Sequence, residues 1–73
     1  MKIEKLSLVR LSSSLNGEFK EFAVKSLDEE SVFVYLGEIP NQPGHCVVAG
    51  WRNGKVYSSR HVNEFEVIPE DEV

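Results

Sequence analysis

His45-Cys46-Val47-Val48-Ala49-Gly50-Trp51-Arg52, Asn53-Gly54 and Lys55-Val56-Tyr57-Ser58-Ser59-Arg60 read together as two strands joined by a tight reversal. A type I′ turn needs positive φ at both central residues, and Asn-Gly tolerates it. A two-residue turn fixes the register, with Arg52 opposite Lys55 and Trp51 opposite Val56. One face then carries Val47, Ala49, Trp51, Val56 and, further on, Val62. The other carries Cys46, Val48, Arg52, Lys55, Tyr57, Ser59 and His61. The first face is the more apolar and is expected to be the core side. Full burial of Trp51 or of a valine there stabilises by roughly 1.5–3 kcal/mol each. The second face is expected to be wet or to meet a partner.

Upstream, Ser31 to Gly37 is rich in β-favouring residues, with Val32, Val34 and Leu36 on one side and Phe33 and Tyr35 on the other. The loop Glu38 to Gly44 follows, and Pro40 and Pro43 cannot continue a ladder. Leu6 to Leu11 reads as a strand, and Ser12-Ser13-Ser14 with Asn16-Gly17 as the turn that ends it. Downstream, His61-Val62-Asn63 is long enough for one tight turn, and Phe65 to Ile68 for a short last strand. Residues 18–29 fit two patterns. Phe19, Phe22, Ala23 and Leu27 line one face of a helix, with Glu18, Glu21, Lys25 and Asp28 on its wet face; Phe22 and Val24 also alternate as a strand would.

The segments Ser31–Gly37, His45–Arg52, Lys55–Arg60, His61–Asn63 and Phe65–Ile68 together resemble an SH3-like small barrel. The likeness is one of fold and covers about half the chain. It implies an all-β, five-stranded barrel. The alternative is an α+β arrangement in which a helix at about 18–29 packs on a small antiparallel sheet.

Seventy-three residues suit one small domain, with residues 70–73 a frayed acidic tail. The single cysteine, Cys46, excludes an intrachain disulfide and a cysteine-built metal cage. A lone thiol suits a reducing compartment, so a cytoplasmic location is expected. Met1 to Lys5 lacks the apolar core of a secretory leader, and the apolar run Val32 to Leu36 is far below the roughly 20 residues that span a bilayer. The net charge of −4 disfavours general nucleic-acid affinity. The distribution is uneven, however. Arg52, Lys55 and Arg60 lie close together, while Glu64, Glu66, Glu70, Asp71 and Glu72 crowd the end.

The register places Cys46 directly across from His61, close enough for an imidazole to activate a thiol. No orienting group or oxyanion site accompanies them, so a small cysteine beside a surface histidine is the plainer reading. His45, Cys46, His61 and Glu64 match no metal-ligand spacing. Glu18, Glu21, Asp28, Glu29 and Glu30 read as a solvated face, and no phosphate-cradling or serine-nucleophile motif is present. A non-catalytic module contacting a macromolecular partner, most readily protein, is expected. Its contact set would be Tyr35, Pro40, Asn41, Pro43, Arg52, Lys55, Tyr57 and His61, with no cofactor and no metal. The alternative is single-stranded nucleic-acid binding on the Arg52, Lys55 and Tyr57 face, since stacking aromatics beside cations hold such strands. A homodimer fits a chain this small if apolar residues are left off the core face.

Overall fold

Five antiparallel strands form one sheet, with a helix between the first and second. The computed structural model describes residues 3–69 and Asp71. The chain runs β1 (Leu8–Leu11), α1 (Gly17–Ser26), β2 (Phe33–Glu38), β3 (His45–Gly50), β4 (Val56–His61), a 3₁₀ turn (Val62–Glu64) and β5 (Phe65–Val67). The strand order is β4-β3-β2-β1-β5, so β4 and β5 are the edges and the sheet is open. The closed barrel expected from the sequence is therefore not what the ladders describe. The helix of the α+β alternative is present, and it ends three residues earlier than expected. Apart from Asp71, which is exposed, the expected frayed tail lies outside the described residues.

The core face is the reverse of the expected one. Phe33, Tyr35, Cys46 and Val48 are buried, with Ile3, Val9, Leu27 and Phe65, and Tyr57, Leu11 and Val62 pack against them. Trp51 and Val56, expected inside, are 62% and 63% exposed. Val47 and Ala49 are only partly buried on the outer face, so Val62 alone of the expected core set joins the core.

The reason lies in β2. Phe33 pairs with Gly50 and Tyr35 with Val48, so the two strands must present the same parity inward. That parity buries two aromatic rings. Phe33 then stands edge-on to Phe65 at 5.6 Å and to Tyr57 at 6.1 Å between ring centroids. Such contacts add to the simple gain from burial.

The β3–β4 turn is longer than two residues. Ala49 faces Val56 and Val48 faces Tyr57, and Gly50 N–H donates to Lys55 C=O at 2.9 Å. Trp51 is thereby pulled out of the ladder into the loop. Two bulges shift the registers further. In β2, Leu36 is the extra residue between Tyr35 and Gly37. In β4, Ser58 and Ser59 both oppose Val47, and Ser59 adopts φ 57°. The second bulge moves Cys46 opposite Arg60 and leaves His61 opposite His45.

The helix stops where Asp28 and Glu29 take positive φ, and Glu29 N–H returns to Val24 C=O at 2.8 Å. Glu18 in its first turn and Lys25 in its last complement the helix dipole. Within α1 only Ala23 is buried. Phe19 and Phe22, expected to share the buried face, are 80% and 73% exposed. Phe22 points about 100° round the helix from Ala23, off the buried stripe.

Two carboxylates tie loops to the sheet. Glu66 accepts from Ser13 N–H at 2.7 Å and from Arg10 Nε at 3.0 Å, which holds its carboxyl below the usual range. Asp28 accepts from the Tyr57 hydroxyl at 2.9 Å and pairs with Lys55 Nζ at 3.4 Å, with the same effect. A carboxyl depressed in the folded state stabilises fully above its unfolded pKa, and that contribution is lost as pH falls through the folded pKa. The urea midpoint is therefore expected to stay level from neutral pH to about 5, then fall below about pH 4. Glu66→Gln should flatten this acid limb; an identical limb in the variant would exclude Glu66 as a contributor.

Candidate functional site

The eight residues expected to form one contact surface fall in three places. Tyr35 is 1% exposed and belongs to the core, where burial pushes its hydroxyl pKa up. It offers no surface to a partner, because its strand parity follows Phe33. Arg52, Lys55 and Tyr57 lie at the β3–β4 turn. Pro40, Asn41, Pro43 and His61 lie at the opposite end of β3. Six residues of strand separate the two groups, roughly 20 Å at about 3.3 Å per residue.

The Pro40–Pro43 loop is ordered by its own backbone. Ile39 N–H donates to His45 C=O at 3.0 Å, Gln42 N–H to Ile39 C=O at 3.0 Å and His45 N–H to Gln42 C=O at 3.1 Å. At the same end, the His45 and His61 rings lie 4.6 Å apart, tilted by 42°, and His45 Nδ1 sits 3.1 Å from Pro43 C=O. Arg60 is tied to Glu64, which also accepts from His61 N–H at 2.9 Å. Arg60 is therefore not part of a basic cluster with Arg52 and Lys55.

Cys46 and His61 do not form the pair that the two-residue turn implies. The thiol is fully buried on the inner face, while His61 is exposed. Burial, with the Glu64 carboxylate adding to it, raises the thiol pKa to about 11. A nucleophilic cysteine needs the opposite shift. Among the described residues no three His, Cys, Asp or Glu side chains are grouped to hold a metal ion. No described helix is long and apolar enough to cross a membrane.

The β3–β4 turn is the most organised part of the surface. Trp51 N–H donates to Val32 C=O at 2.9 Å, Gly54 N–H to Gly50 C=O at 3.1 Å, and Arg52 N–H to Glu30 Oε2 at 3.2 Å. Asn53 folds back over Gly50. Its Oδ1 accepts from Lys55 N–H at 2.9 Å, and its Nδ2 donates to the Tyr57 hydroxyl at 2.9 Å. A Cβ on residue 50 would meet that Oδ1 at 2.1 Å, so glycine is what allows the Asn53 amide to sit there. Tyr57 acts as a brace, reaching Asp28 and lying 3.3 Å from Leu27 C=O.

The result is a rigid turn that holds Trp51 out in solvent, with Arg52 next to it and Val56 exposed close by in sequence. Sequence reasoning assigned Trp51 and Val56 to the core. The available signal was the position of Trp51 only two residues before Asn53-Gly54. A slightly longer loop takes such a residue out of the strand. Compared with family models, curated proteins and solved structures, the chain matches none.

Proposed function

We propose that the protein is a non-catalytic interaction module that binds a protein partner through the β3–β4 turn. The reading rests on one observation: Trp51 is held outward on a turn whose flanking amide groups are already bonded. Tryptophan and arginine are the residue types that dominate binding energy at protein interfaces. A turn ordered before binding loses little conformational entropy when it docks. Trp51 would be the anchor, Val56 an apolar neighbour, and Arg52 and Lys55 the orienting charges. The architecture fits this use. Its strand order, with a 3₁₀ turn before the last strand, supports reading the sheet as an opened variant of the SH3-like plan, and that plan presents its loops at the sheet ends.

Trp51→Ala combined with Arg52→Ala is expected to weaken partner binding at least about tenfold while leaving the fold intact. The check is quantitative capture from cell extract with wild type and variant side by side, followed by titration of the retained protein. Retention of the same proteins at the same affinity by the variant would remove the turn from the interface. Single-stranded nucleic acid is the competing ligand, because Trp51 beside Arg52 also makes a stacking surface. Trp51 fluorescence titrated with short oligonucleotides at two salt concentrations separates the two. The protein reading expects no quenching, whereas quenching that weakens steeply with salt would assign the turn to nucleic acid.

A further inference from the structure

The turn does not account for two exposed phenylalanines on the helix. Phe19 and Phe22, 80% and 73% exposed, project from one side of α1. They stand three residues apart and are therefore neighbours on the helix surface. Beside them runs a groove of roughly 270 Å³, with Leu15, Phe22 and Ala23 on one wall and Arg60 and His61 on the other. The two rings make a contiguous patch of about 300 Å², the size of the largest patch on an ordinary monomer and one that is often a contact site.

The charges along α1 indicate what covers them. Glu18 lies in the first turn and Lys25 in the last. Seven residues apart, they fall on the same flank of the helix, next to Phe22. A second α1 laid antiparallel across the first brings Phe19 against the other copy's Phe22, and Glu18 towards the other copy's Lys25. The twofold axis makes each contact twice. The antiparallel helix dipoles are also complementary.

We infer that the Phe19–Phe22 face of α1 binds a second copy of this chain, in a twofold antiparallel helix pair flanked by two Glu18–Lys25 contacts. Four phenylalanine rings cover about 600 Å² at roughly 150 Å² each. With Leu15 and the stems of flanking lysines, the total approaches about 1,000 Å², the lower edge for a specific interface. The dimer is therefore weak, with a dissociation constant on the order of 10–100 µM. Its surface is separate from the Trp51 turn, so the dimer stands or falls independently of the proposed partner site.

Sedimentation equilibrium of the full chain, from about 1 µM to 1 mM, tests this. The weight-average mass is expected to rise from 8.3 kDa towards twice that value. Phe22→Glu should raise the dissociation constant more than tenfold with an unchanged circular dichroism spectrum. Glu18→Lys and Lys25→Glu should each weaken self-association, and an equimolar mixture of the two variants should associate more tightly than either alone. That recovery distinguishes the antiparallel pairing from loss of apolar surface. A chain that stays monomeric at 1 mM would overturn the inference. So would a dimer that Phe22→Glu leaves unchanged, or one in which mixing the charge variants restores nothing.

Discussion

Phe33→Ala is expected to destabilise the protein by about 3–5 kcal/mol, the usual cost of deleting a fully buried phenyl ring. A chain of 73 residues has roughly 4–11 kcal/mol of stability in total. The variant should therefore lose between about a quarter and all of that stability. The ring is fully buried and meets Phe65 and Tyr57 edge-on. Phe19→Ala deletes the same atoms from an exposed site and should change stability by less than about 0.5 kcal/mol. Urea unfolding of both variants at low micromolar concentration, where self-association is negligible, makes the comparison. Similar losses in the two would mean that the inner and outer faces have been exchanged.

The second large effect concerns Cys46. Raising a thiol pKa from 9.0 to about 11 cuts the reactive thiolate near neutral pH by about a hundredfold. Burial, the cause of that shift, also shields the sulfur from reagent in the folded state. Alkylation of the folded protein at pH 7.5 is thus expected to be more than a hundredfold slower than in guanidinium. The rate in mild denaturant should track the unfolding equilibrium. Labelling of folded protein at the rate of a free thiol would place the sulfur outside and reopen a chemical role beside His61.

The strands themselves were legible. Alternation and turn residues located β2, β3, β4 and β5 to within about two residues, and the 3₁₀ turn to within one. Which side faces inward was not legible. Alternation identifies two faces, and here both were apolar. Val32, Val34 and Leu36 compete with Phe33 and Tyr35, while Val47, Ala49 and Val56 compete with Cys46 and Val48. The outcome depends on pairs remote in sequence, chiefly Phe33 with Gly50 and Tyr35 with Val48. Asn53-Gly54 marked a reversal but not its length, and three more loop residues than expected took Trp51 out of the ladder. The longer turn also slid Cys46 two positions away from His61, and the bulge at Ser58 and Ser59 recovered only one of them. Arg52 and Lys55 were expected as a facing pair at the strand ends, and both lie instead in the loop between β3 and β4. Trp51, the residue that defines it, was assigned to the interior for the reason just given.

The same bulge has a consequence for the outermost strand. An edge strand such as β4, carrying exposed Val56, is the kind of segment on which identical chains stack into fibrils. With Ser58 and Ser59 crowded against one partner residue, the free amides of β4 fall out of step midway. An incoming strand can then match one half of β4 or the other but not both, which is how bulges protect an edge. Helix-to-helix pairing is under no such restriction, and it closes at two copies.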